Sequence, residues 1–177
     1  MDRSERLRLF CALCLPDETL DRLAHWQSDE LRRGRVVPRE SLHITLAFLG
    51  SQPVAAVPEI AAALGAAAAG VGGLRFVLRA YRETRSVGML TFDDEGGRAA
   101  GIAGALHTSL ELLGLYRRDK RAWLPHVTVL RFREQPGLRP PLPELGEVSP
   151  SDAAVYSSVL RSVGSQYTIL EEVPVGG

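Results

Sequence analysis

SLHITLAFLG at residues 41–50 and LPHVTVLRF at residues 124–132 decide how this chain is read. Each stretch carries His-x-Thr in an apolar frame: Leu42-His43-Ile44-Thr45-Leu46 and Pro125-His126-Val127-Thr128-Val129. On an extended strand, residues i and i+2 share a face, roughly 6.5–7 Å apart. Each segment therefore offers an imidazole and a hydroxyl to one side, while Ile44, Leu46, Val127 and Val129 anchor it in a core on the other. If the two faces meet, one cleft holds two imidazoles and two hydroxyls. Such a set can activate a nucleophile, protonate a leaving group and grip two phosphoryl oxygens. It contains no carboxylate, so a hard metal finds no obvious ligands there, and no cofactor is expected. The remaining histidines, His25 and His107, lack the pattern, lie on expected helices and read as surface or packing residues.

Outward from these motifs, strands and helices intermingle. Leu7 to Leu15 reads as a central strand ending at Pro16. Asp17 is expected to cap a helix with apolar positions Leu20, Leu23, Ala24 and Leu31, closed by Gly34. Ser41 to Leu49 is a strand stopped by Gly50. An alanine-rich helix is expected over Val54 to Ala69, with Pro58 tolerable only near its first turn. Leu74 to Leu78 and Gly88 to Phe92 read as strands flanking a polar Arg82–Ser86 loop. A turn over Asp93 to Gly97 leads to a helix from Arg98 to Leu113, and Pro125 to Phe132 forms the next strand. Gln135 to Pro150, with five prolines, is a surface loop. Asp152 to Arg161 and Gln166 to Val173 form a hairpin around Ser162–Ser165. Hairpin-like pairs favour α+β with largely antiparallel sheets over a doubly wound parallel sheet. The 177 residues suit a single domain, 1–177, of two lobes.

Composition narrows the class further. Apolar residues make up 45% and charged residues 24%, as in globular proteins. No apolar run reaches the eighteen or so residues a membrane span needs, and no signal-peptide pattern opens the chain, so a cytoplasmic protein without a membrane partner is expected. Net charge is zero, so no global field draws nucleic acid. Twenty of the 21 basic residues are arginine, the side chain suited to bidentate phosphate contacts. They cluster at Arg32, Arg33, Arg35 and Arg39, and again, with one lysine, at Arg117, Arg118, Lys120 and Arg121; charge alone fits solvated loops equally well. Cys11 and Cys14 form C-x-x-C, but three residues along a strand reverse the face, and no second pair exists to complete a zinc site. Both read as core residues.

The paired motifs with these flanks resemble the 2H phosphoesterases, specifically the RNA 2',3'-cyclic phosphodiesterases of bacteria and archaea also called 2'-5' RNA ligases. RLRLFCALCLPDE, VVPRESLHITLAFLG, RAWLPHVTVLRF and VYSSVLRSVGSQYTILEEVPV carry the resemblance across nearly the whole chain. It implies a bilobal α+β fold with pseudo-twofold symmetry, each lobe lending one motif to a central cleft. It also implies metal-independent hydrolysis of RNA or nucleoside 2',3'-cyclic phosphates to 2'-phosphates by a monomer, with weak reverse 2'-5' ligation. His43 and His126 become the acid-base pair, and Thr45, Thr128 and Arg131 the phosphate ligands; Phe48 matches an aromatic near the base. His126 is expected to activate water and His43 to protonate O3'. Strict alternation aims Phe48 and Arg131 away from the cleft, unless a bulge or a strand end redirects them. Where many relatives have V-L-W, this chain reads Gly88-Met89-Leu90-Thr91. Other readings are the same fold acting on 2'-5' oligonucleotides or ADP-ribose cyclic phosphate, and a non-catalytic RNA-binding module.

Overall fold

The computed structural model describes residues 5–176. The chain runs β1 (Arg6–Cys14), α1 (Asp17–Glu30), β2 (Arg35–Val36), β3 (His43–Pro53), α2 (Val57–Ala68), β4 (Phe76–Glu83), β5 (Val87–Asp94), α3 (Arg98–Leu112), β6 (His126–Arg131), β7 (Glu147–Val148), β8 (Asp152–Arg161) and β9 (Gly164–Pro174). All strand pairings are antiparallel, and the sheet order is β7-β4-β5-β6-β3-β1-β8-β9, with β2 on β6. The expected α+β class is the observed one.

The order is symmetric about its middle. β3 and β6, the two motif strands, touch through one pair, Ile44 with Val127. On either side β1 answers β5, β8 answers β4 and β9 answers β7. The two lobes are thus halves of one continuous sheet, hinged at the middle residues of the His-x-Thr motifs.

One sheet face carries the helices. Leu9, Cys11 and Leu13 of β1, Ile44 and Leu46 of β3 and Val127 and Val129 of β6 pack there with Leu23, Ile60, Leu64, Ile102 and Leu106 from the three helices. Each such side chain, when fully buried, contributes about 1.5–3 kcal/mol. The opposite face bears a smaller cluster of Phe10, Ala12, Ala154 and Tyr156 with Cys14 and Tyr167 against it. The cysteines divide between the faces as their spacing required. Cys11 is in the core, and Cys14 Sγ lies 3.2 Å from the Tyr156 hydroxyl.

Local expectations needed correction in several places: β4 runs on through Arg82 and Glu83, expected in a loop, and β7 forms inside the expected Gln135–Pro150 loop. Asp17 does not cap α1: it is the first helical residue after Pro16, with no side-chain cap bond, and its charge in the first turn suits the helix dipole instead. α1 stops at Glu30, and Gly34 serves the following turn at φ 84°. Gly50 does not stop β3; it sits inside the strand at an irregularity of register. The hairpin β8–β9 turns on Ser162 and Val163 alone, since Arg161 already pairs with Gly164. Among the described residues, no helix is long and apolar enough to cross a membrane.

Candidate active site

Two β-bulges build the site. Along β3, Thr45 pairs with Ala12 but Ala47 pairs with Cys11, so Leu46 is an extra residue. Along β6, Thr128 pairs with Met89 but Leu130 pairs with Gly88, so Val129 is extra. Leu46 and Val129 occupy the same place in their motifs, three residues after the histidine. An extra residue reverses the alternation beyond it. Leu46 and Ala47 are both buried and Phe48 is 48% exposed; Val129 and Leu130 are both buried and Arg131 is exposed. The bulges thus return Phe48 and Arg131 to the face that carries the histidines and threonines.

At the centre, Ile44 and Val127 form the single pair between β3 and β6, so the two motifs lie side by side with opposite chain directions. Directly opposed residues have Cα atoms about 4.5–5.5 Å apart. The imidazoles are oriented alike. His43 Nδ1–H donates to the Ser41 carbonyl at 2.7 Å, and His126 Nδ1–H to the Leu124 carbonyl at 2.8 Å. A carbonyl only accepts, so the proton is fixed on Nδ1 and Nε2 is the nitrogen left for chemistry. The Thr45 hydroxyl donates to His43 Nε2 at 3.0 Å, and the Trp123 indole anchors the Thr45 carbonyl at 3.0 Å.

His43 sits in an aromatic enclosure that the sequence did not announce. Phe10 is 4.9 Å from it between ring centroids, Tyr167 meets it edge-on at 5.5 Å, and Tyr156 stacks on Phe10 at 4.9 Å. Burial there pushes its pKa down from 6.5 to about 4; the Ser41 hydrogen bond opposes this, and the charges of His126 and Arg131 add to it.

Two cavities open on either side of the shared Thr45 and Phe48. The first, about 420 Å³, brings together His43, Thr45, Thr128, Arg131 and Phe48. Arg8, Arg35 and Arg161 join them, and among the described residues no carboxylate lines it and none of these four arginines has an ion pair. Arg8 stands 4.8 Å over the Phe48 ring, a cation–π contact. The second, about 710 Å³, is reached by His126 and walled by Trp123, Tyr116 and Met89. The arginine clusters divide. Arg35 enters the first cavity, Arg39 pairs with Asp17 and Asp21, and Arg118 lines the second while bound to Glu111. His25 is a surface partner of Asp29, and His107 is buried. Alternation along β9 gave no sign of Tyr167, because its partner across the cleft comes from β3.

A family model described as LigT like phosphoesterase matches residues 13–82. A protein of Escherichia coli (strain K12) named RNA 2',3'-cyclic phosphodiesterase is 30% identical over 172 residues, 95% of this chain and 96% of that protein. The chain belongs to the LigT-like phosphoesterase family. A second LigT-like relative of the same name, from Thermus thermophilus, is 32% identical over an alignment of 190 positions, covering 97% of this chain and 91% of the relative. A crystal structure of a Thermus thermophilus protein, 31% identical, superposes with a TM-score of 0.81 over 97% of this chain and 99% of that one. The Escherichia coli LigT complex with 3'-AMP, at 23% identity, shares the fold with a TM-score of 0.83, over 98% of this chain and all of that one.

Proposed function

We propose that this LigT-like phosphoesterase hydrolyses RNA 2',3'-cyclic phosphates to 2'-phosphates, without a metal, with residues 1–177 acting as one catalytic unit. The observation that carries this is the matched pair of imidazoles, each with Nδ1 held by a carbonyl two residues earlier, on strands that touch. His43 opens on the arginine-lined cavity that has no carboxylate among the described residues, and His126 on the cavity that shares Thr45 and Phe48 with it. His126 accepts the proton of a water as its oxygen bonds to phosphorus. The P–O3' bond breaks, and His43 gives its proton to O3'. Thr45, Thr128 and Arg131 donate to the non-bridging oxygens, where negative charge concentrates in the transition state. Phe48 flanks the base. With a 5'-hydroxyl in place of water as the nucleophile, the same displacement of O3' gives weak 2'-5' ligation.

This assignment places a demand on His43. With a pKa of about 4 in the free chain, it is neutral at pH 7. Burial, the main cause, works against the protonated form, and the negative charge of the bound phosphate favours it, opposing also the lesser repulsion from His126 and Arg131. Because a pH profile cannot say which of two groups gives and which takes the proton, the leaving group decides. A cyclic substrate with sulfur at the 3' position departs without protonation, so it restores His43→Ala by at least about 10-fold relative to the oxygen substrate and leaves His126→Ala unrestored. The reverse pattern exchanges the roles.

The founding test is turnover of a 2',3'-cyclic nucleotide with excess chelator present. Wild type is active, and His43→Ala and His126→Ala each lose at least about 10²-fold. Near-normal turnover by either variant removes the paired acid-base reading. Wild-type binding without turnover returns the chain to an RNA-binding module.

A further inference from the structure

The bulges that aim Phe48 and Arg131 leave a structural problem. An extra residue disturbs the ladder, and its carbonyl needs a partner when buried. In both halves that partner is a buried helix side chain. His107 on α3 donates its Nε2–H to the Leu46 carbonyl at 2.7 Å. Gln27 on α1 donates from Nε2 to the Val129 carbonyl at 2.8 Å, and also to the Val37 carbonyl at 3.0 Å. Both side chains are almost fully buried, at 8% and 3% exposure.

The ties cross over. α1 follows β1 and leads through β2, which pairs with β6, to β3, and Gln27 holds the bulge of β6. α3 lies between β5 and β6, yet His107 holds the bulge of β3. A glutamine and a histidine, different chemically, do the same task at pseudo-equivalent places. General packing does not ask for this: an apolar residue would fill either site without a polar atom to satisfy. What the two N–H groups secure is the conformation of one peptide in each motif strand, whose carbonyl belongs to the residue two before the side chain that must point into the cleft.

We propose that Gln27 and His107 are positioning residues, each reaching from one half of the sheet to lock the other half's bulge, so that Gln27 aims Arg131 and His107 aims Phe48. The dependence is unequal. The Val129 carbonyl also accepts from the Val37 amide at 3.0 Å, so Gln27 shares its load. The inference rests on the cyclic-phosphate reading of the site, but concerns residues that touch no substrate.

The test is a set of double-mutant cycles. Gln27→Met and His107→Phe remove the donor at similar volume, and each is combined with Arg131→Ala and with Phe48→Ala; the readout is kcat/KM on 2',3'-cyclic AMP. Gln27→Met lowers it about 5-fold and His107→Phe about 10-fold in the wild-type background. In the Arg131→Ala background Gln27→Met costs less than about 2-fold, and His107→Phe likewise in Phe48→Ala, whereas the crossed combinations keep their full losses. The swaps Gln27→His and His107→Gln, which retain an N–H, stay within about threefold of wild type. A loss equal in every background, or a lowered melting temperature with unchanged kinetics, overturns the proposal. Should a donor-free variant not fold, Gln27→Asn or His107→Asn, too short to reach the carbonyl, takes its place in the cycle. If wild type does not turn over the cyclic substrate, the functional reading fails by itself, and the same cycles read as Kd for 3'-AMP still decide the positioning roles.

Discussion

The chemistry of single residues turns on His43. Its aromatic surroundings disfavour the imidazolium, so its pKa falls to about 4 when folded against 6.5 for an unhindered histidine. The unfolded chain therefore binds a proton that the folded chain refuses. Stability from this residue is fully present above pH 6.5 and is lost as pH falls towards 4. Thermal melts across that window should drop less for His43→Gln than for wild type; parallel curves would contradict the enclosure. The free-enzyme profile of kcat/KM is expected to have its acidic limb near pH 4, and that limb should be missing from the residual activity of His43→Gln. Gly34 is a second position where one atom matters. At φ 84° it occupies left-handed backbone, and an added Cβ would lie 2.8 Å from the Arg131 carbonyl. Gly34→Ala should cost about 1–3 kcal/mol by chemical denaturation and weaken phosphate affinity, because relief of the contact displaces the backbone that carries Arg131.

Among the elements, the motif strands were legible because their histidine and threonine stand two apart on an apolar frame, which only a strand turns into one polar face. The bulges were not. A bulge is set by the pairing of two strands and by what meets the spare carbonyl, and neither Leu46 nor Val129 differs locally from an ordinary strand residue. Alternation alone therefore misplaced Phe48 and Arg131. The proline-rich segment Gln135–Pro150 was read as a loop throughout, but Glu147–Val148 within it form β7 on the edge of β4, and the fastening of the rest came from a distance. Glu83 at the end of β4 accepts the Gly137 and Leu138 amides at 2.8 and 3.0 Å and the Tyr81 hydroxyl at 2.7 Å, and Trp26 holds the Pro141 carbonyl at 2.7 Å. Glu83→Ala should speed limited proteolysis within residues 133–146 and cost about 1–2 kcal/mol, since these bonds are only partly shielded from water. Unchanged cleavage kinetics would show that the tryptophan contact suffices.

At the scale of the molecule, zero net charge conceals a local field. Arg8, Arg35, Arg131 and Arg161 converge from four strands on one cavity with no opposing carboxylate among the described residues. If phosphates of an RNA chain follow this groove, affinity for an oligonucleotide falls with salt, and Arg35→Ala lowers the log–log slope by about 0.7, the value for one phosphate of a single strand. A mononucleotide should show a much shallower slope, and equal slopes for both would deny the groove a role beyond the terminal phosphate. The amino-acid sequence by itself determined the strand character of both motifs, the mixed antiparallel class and the opposite-facing cysteines, because each follows from spacing along one element. Tertiary structure alone decided the bulges, the aromatic enclosure that disfavours charge on His43, the choice of arginines that enter the cleft and the crossed ties from Gln27 and His107. Each of these depends on distances between residues far apart in the chain, which local periodicity does not encode.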